Sequence, residues 1–396
     1  MAHEERTVRP RAHRFTELDG LRGSAALLVV LFHVHYRFRD AGGPAPVDRL
    51  LAGGAIMVDL FFVLSGFVLA HAMFSVGSAM DAARFGLLRY RRFLPLHLTA
   101  MAIAFATALA VWSGQNHGVE HLPAERPFTA ASQSPSGYLS ALFLLQGVIG
   151  PQFAGYKAAW SLSVELWGNV LLVAAIALVP RPRLKPLVGP IALLAGAAIL
   201  FHWGQGTTDG VGWVASGRGL LGLGAGLSLY RLHVAIPVRA GNSVWASVGA
   251  LVGTIALGAY MYWHVELYQL ACLPLVLVTG LLVFSLAQPS RGPIHRVFDG
   301  RVLQWLGSRS FALYALHQPV MDVVVLTTGL HAQPLSRPAV AAFVWGVTLT
   351  GSLLAAELGH RFVERLLTPG RADDRPTIGP LAPADPVVIE AGTRAS

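Results

Sequence analysis

One cysteine, Cys272, in 396 residues excludes a disulfide framework and a thiolate metal cluster. Charge is scarce too: 13% of the residues are Asp, Glu, Lys or Arg, against about 25% in soluble domains. Lysine is almost missing, with Lys157 and Lys185 alone among 30 basic residues. The net charge of +9 does not gather into a basic stripe with interleaved aromatics, so no nucleic-acid partner is expected. No stretch supports a sheet, and no repeat of fixed period is visible. The polar amino terminus has no small-residue cleavage site after the first apolar run. That run is therefore expected to be a retained helix and not a signal peptide.

What the chain has in quantity is apolar sequence, 54% hydrophobic with a mean hydropathy of +0.54. Runs of roughly 17–25 apolar residues can cross a bilayer as helices. They fall near 19–37, 53–75, 93–113, 160–180, 187–203, 212–230, 243–263, 267–288, 307–330 and 338–360. The fold class implied is an all-α polytopic membrane protein with about ten transmembrane helices. Arginines cluster in alternate connections, from Arg6 to Arg14, Arg84 to Arg92, Arg181 to Lys185, Arg291 to Arg309 and Arg361 to Arg394. Because positive loops stay inside, both termini are expected in the cytoplasm and the chain in the cytoplasmic membrane. Residues 1–18 then form a cytoplasmic N-terminal segment, 19–365 the membrane domain, and 366–396 a Pro- and Ala-rich disordered cytoplasmic tail. The segment 137–150 is too short to cross and is expected to lie at the interface or re-enter. The loop 114–159, with His117, Glu120, His121 and Glu125, faces outward, as a wall over an acceptor site or as a solvated connector.

Several polar residues interrupt these runs, and intramembrane polar groups often mark a functional path. In "LDGLRGSAALLVVLFHVHYRF", Arg22 and His33 are eleven residues apart, which places them within roughly 20° of one helix face and about 16 Å apart. His35 points elsewhere. The second run, "VDLFFVLSGF", holds Asp59 and Ser65, and "RYRRFLP" follows with Arg89, Arg91 and Arg92. Such a cluster serves as an orientation signal or as a fork-shaped grip on phosphates. "WSLSVELW" places Glu165 near the outer end of its span, and "FALYALHQPV" carries Tyr314 and His317. The glycines of "GLLGLGAG" follow no strand, so they read as small residues that let helices pack closely and not as a nucleotide loop.

Together these motifs resemble the acyltransferase 3 family of integral-membrane O-acyltransferases. The resemblance rests on the Arg, ten residues, His arrangement, "VDLFFVLSGF", the Arg89-x-x-Arg92 pair, "WSLSVE" and "YALHQP", in that order from about Asp19 to about 365. Two positions depart from the common pattern: Met57 stands where Gly is frequent, and Arg365 and Leu366 follow Glu364 where a Glu-x-Pro is common. Many relatives append an extracytoplasmic hydrolase-like domain, for which 396 residues leave no room, so a membrane domain alone is expected.

The resemblance implies acyl transfer from acyl-coenzyme A, as co-substrate and without a metal, to a hydroxyl-bearing acceptor. Arg89, Arg91 and Arg92 would hold the donor phosphates, with the pantetheine arm running past Arg22 towards His33 as general base. Asp19 would fix Arg22, and Glu165 would orient the acceptor or the imidazole. Asp59, Ser65, Tyr314 and His317 remain substrate-binding or structural polar groups. The alternative from composition alone is a transporter that uses Arg22, His33, Asp59 and Glu165 as a proton or substrate path. The absence of paired, Gly/Pro-broken half-helices speaks against it.

Overall fold

The computed structural model describes residues 15–38, 45–119, 122, 127–128, 134–149, 155–204, 212–236, 242–267, 272–329 and 338–365. The proposed tail 366–396 and most of the N-terminal segment lie outside the described residues, as do Glu120, His121 and Glu125 of the outer loop.

Among the described residues every regular element is helical. In chain order these are α1 (Thr16–Arg37), α2 (Ala45–Ala52), α3 (Met57–Phe74), α4 (Ala79–Asn116), α5 (Pro135–Leu142), α6 (Ala159–Leu178), α7 (Val188–Trp203) and α8 (Trp213–Ala235). There follow α9 (Asn242–Leu267), α10 (Cys272–Ala287), α11 (Pro293–Phe298), α12 (Arg301–Thr328) and α13 (Pro338–Leu358), which runs into a π-helical turn at Gly359–Glu364. Every expected span coincides with a helix. Eight helical stretches are long and apolar enough to cross a membrane by length and composition. α10, with 16 residues, is shorter than those eight, and α8 is interrupted by Arg218 and five glycines. At 38 residues α4 is about 57 Å long, nearly twice the roughly 30 Å hydrocarbon thickness. Its start is set by Ser78, whose Oγ accepts the Asp81 amide at 3.1 Å.

Apolar side chains supply no driving force between helices in lipid, so close backbone approach has to hold them together. Two pairings show it. α1 and α12 touch through Gly23 and Gly307, and Gly20 lies against Phe298 of α11: a Cβ on Gly307 would collide with the Asp19 carbonyl, and one on Gly23 with the Gly307 amide. α3 and α8 do the same through Gly66, Gly222 and Gly226, which is the packing role expected of "GLLGLGAG".

The segment after α5 folds back along α6. Leu144, fully buried with φ +54°, turns the chain, and its carbonyl accepts the Trp167 indole N–H at 2.8 Å. Trp167 is eight residues inside α6, so this turn reaches about 12 Å below the end of that helix. The Gly147 amide then donates to Ser163 Oγ at 3.1 Å on the way out.

Candidate functional site

α1, α3, α4, α6 and α12 converge on a cavity bounded at one end by Glu364 of the π-helical turn. Its polar lining includes Asp19, Arg22, Ser65, Arg89, Arg92, Glu165, Ser310 and Tyr314, and its apolar lining includes Phe61, Leu64, Val68 and Phe93. Arg22 is fixed on three sides. Its Nε donates to Ser310 Oγ at 2.9 Å, its Nη2 donates to the Gly307 carbonyl at 3.0 Å, and Asp19 Oδ1 lies 3.1 Å from Nη2. The glycine contact between α1 and α12 makes this reach possible. Across the cavity, Glu165 Oε1 accepts from Arg89 Nη2 at 3.0 Å and from Ser65 Oγ at 2.8 Å. Asn169 Nδ2 donates to Ser65 Oγ at 3.1 Å and completes the row. The Arg89 guanidinium lies over the Phe93 ring at 5.0 Å, and its Nε, though buried, has no hydrogen-bond partner. Arg91 is exposed and does not line the cavity, because α-helical spacing puts i and i+3 on one face and i+2 off it.

One turn along α12 from Ser310, Tyr314 closes the cavity, its hydroxyl 2.5 Å from Ser161 Oγ and its ring edge-on to Phe61. A further turn brings two imidazoles together. His317 Nε2 is 3.1 Å from His33 Nδ1, His317 Nδ1 is 2.7 Å from the Tyr314 carbonyl, and His33 Nδ1 is 2.9 Å from the Val29 carbonyl. Neither histidine lines the cavity. Ser310, Tyr314 and His317 thus form a polar column on one face of α12, which faces Arg22 at one level and His33 at another.

The model of the acyltransferase 3 family, described as an acyltransferase domain, matches residues 15–357, nearly the whole described chain. The chain belongs to this family. The acyltransferase 3 domain shares 24% identity over 387 residues with the peptidoglycan O-acetyltransferase OatA of Listeria monocytogenes, covering 91% of this chain and 57% of that protein. A Bacillus subtilis protein, provisionally named a peptidoglycan O-acetyltransferase, is 26% identical over 380 residues, covering 89% of this chain and 55% of its own length. The chain therefore spans little more than half the length of these curated relatives. No solved structure matches it.

Within the acyltransferase 3 domain the expected site residues fall into three places. The cavity gathers Asp19, Arg22, Ser65, Arg89, Arg92, Glu165 and Tyr314. His33 and His317 pair one turn beyond it. Asp59 stands apart in a buried bidentate ion pair, taking Arg218 Nε and Nη2 at 2.6 Å each and tying α3 to α8. Glu165, expected to orient an acceptor or an imidazole, lines the cavity and is held by Arg89 and Ser65. The Ser161 turn of α6 is the one that meets the Tyr314 hydroxyl. His35 of α1 faces away, 3.8 Å from Asp48 of α2.

Sequence reasoning missed Ser310, Asn169, Glu364 and Arg218. For Ser310 the signal was present, because it precedes Tyr314 by one turn and His317 by two. Among the described residues no three His, Cys, Asp or Glu side chains come together as metal ligands. His97 of α4 holds the loop between α4 and α6. The Tyr156 hydroxyl donates to its Nδ1 at 3.1 Å, and its Nε2–H donates to the Ala141 carbonyl at 2.7 Å. Burial, reinforced by nearby Tyr314, pushes the Tyr156 phenol well up, which keeps it a donor.

Proposed function

We propose that this chain is a membrane O-acyltransferase that moves an acyl group, acetyl by default, from acyl-coenzyme A to a hydroxyl of a sugar, glycolipid or secondary metabolite. The observation that carries the reading is the column on α12, which connects an arginine-lined cavity to an imidazole pair. Names given to the relatives support acetyl transfer to a glycan hydroxyl.

In this reading Arg89 and Arg92 bind the donor phosphates, which compete with Glu165 for the Arg89 guanidinium. The unpartnered Arg89 Nε is ready to donate. The thiol arm extends past Arg22 and passes the Tyr314–Phe61 layer. There the acceptor oxygen attacks the thioester carbonyl while His33 Nε2 takes the hydroxyl proton. The C–S bond breaks, the coenzyme leaves as thiolate, and His33 returns the proton to it. A placed general base contributes about 10²–10⁴-fold.

The test is mass spectrometry of extracts from cells that carry the wild-type gene, His33→Ala, or no gene. The wild type adds an acyl-sized mass increment to an acceptor; His33→Ala leaves it absent while donor binding persists. An acyl increment undiminished in His33→Ala overturns the assignment.

A further inference from the structure

Carbonyl oxygens only accept hydrogen bonds, and two of them fix the protons on the imidazole pair. The Tyr314 carbonyl at 2.7 Å requires a proton on His317 Nδ1. The Val29 carbonyl at 2.9 Å requires one on His33 Nδ1. The 3.1 Å contact between His33 Nδ1 and His317 Nε2 then has one workable direction: His33 Nδ1–H donates, and His317 Nε2 accepts with its lone pair. A proton on His317 Nε2 would place two N–H groups head to head. His317 is therefore neutral, and His33 shares its one Nδ1–H between the Val29 carbonyl and His317 Nε2. The only imidazole nitrogen of the pair left without a hydrogen-bond partner among the described residues is His33 Nε2, which carries a lone pair whenever that ring is neutral.

We infer that His317 is a positioning residue that holds His33 in the Nδ1–H tautomer, so that Nε2 is the base, and accepts from His33 when that ring becomes cationic. This rests on the reading of His33 as the base. Triads built on a carboxylate use the same logic, where the carboxylate holds the tautomer and supports the imidazolium. Here a neutral imidazole, itself fixed by the Tyr314 carbonyl, takes that place. A neutral partner suits a fully buried position, where an unpaired second charge is costly. His317 touches neither donor nor acceptor in this arrangement; it acts through His33 alone.

The ring pair can be read without any turnover. Protein labelled with [15N]histidine is studied in lipid bilayers by NMR, with His33→Asn used to assign the His33 signals. The expected spectrum has a protonated Nδ1 and a bare Nε2 on His33, with scalar coupling across the hydrogen bond from His33 Nδ1 to His317 Nε2. A His33 protonated on Nε2, or no coupling to His317, overturns the inference whatever the kinetics.

Two variants give the second readout, with acetyl-coenzyme A as donor and peptidoglycan fragments as acceptor probe. His317→Gln keeps an acceptor near the Nε2 position and should hold kcat within severalfold. His317→Leu removes it and should lower kcat by roughly 10²-fold or more, with the donor KM nearly unchanged. Equal kcat in the two variants overturns the positioning role. If instead His33→Ala retains turnover while the coupled spectrum is present, the reading of His33 as the base fails, and the geometry of the pair and the acyl transfer stand.

Discussion

Arg89 and Arg92 face the cavity from α4 while Arg91 between them faces out, and this separates two uses of one basic cluster. Lys at 89 and 92 preserves charge but replaces a planar fork with a point charge. A lost charge-assisted hydrogen bond is worth about 1.5–3 kcal/mol, so the donor KM should rise roughly tenfold to a hundredfold per contact. Arg91→Lys should leave it unchanged. Michaelis constants for acetyl-coenzyme A in the three single variants check this, and equal values throughout would move the donor site away from α4. Asp59 asks a different question at the same scale. It and Arg218 are both buried, so removing one partner strands a charge in the bundle. Asp59→Leu should destabilise by about 3–5 kcal/mol, and Asp59→Leu with Arg218→Met should recover most of that loss. Thermal unfolding in detergent measures both. A double variant as unstable as the single would mean that the pair does more than hold α3 to α8.

At the scale of elements, α1 and α12 decide whether the site exists. Their glycine contact sets the distance that Arg22 spans to Ser310 and His33 to His317. Gly307→Ala puts a methyl group into the Asp19 carbonyl, so it should pry the helices apart and weaken both contacts at once. Gly258→Ala meets nothing within 4 Å and should be neutral or stabilising by up to about 1 kcal/mol from helix propensity. Turnover and melting temperature should fall together for the first and not for the second. The face shared by Arg22 and His33 was legible in the sequence because it depends on the period of one helix. The partners of those residues were not legible. Glu165 finds Arg89 across 76 residues and His33 finds His317 across 284, and such meetings depend on helix depth and rotation, which no local pattern encodes. The segment after α5 was expected at the interface or re-entering, and its Leu144 carbonyl meets Trp167, eight residues into α6.

For the whole molecule, the arginine distribution predicts an orientation for the cavity. The Arg89 face of α4 and the Arg22 end of α1 belong to the arginine-rich side, so the cavity should open to the cytoplasm, where acyl-coenzyme A is made. A fluorescent-protein fusion at the carboxyl terminus should glow, and an alkaline phosphatase fusion there should be inactive. A phosphatase fusion in the loop after α4 should be active. The reverse pattern would put the arginine-lined cavity on the wrong side of the bilayer for a cytoplasmic donor. All-α architecture and a multi-pass character were plain from composition. The count of spans was less so, because α8 is diluted by glycine and Arg218, and α10, though apolar, has only 16 residues.

Arg22 waits a long time for Ser310. The two are 288 residues apart, and a ribosome adding about 5–20 residues per second needs roughly 15 to 60 seconds to travel between them. For that interval the first helix sits in the membrane with its Arg–Asp pair and its imidazole lacking their partners on α12. Nascent chains of this protein are thus exposed, during every round of synthesis, as substrates for membrane quality control. Insertion factors that shelter a polar first helix until α12 emerges would set the yield of active protein as firmly as the stability of the finished bundle.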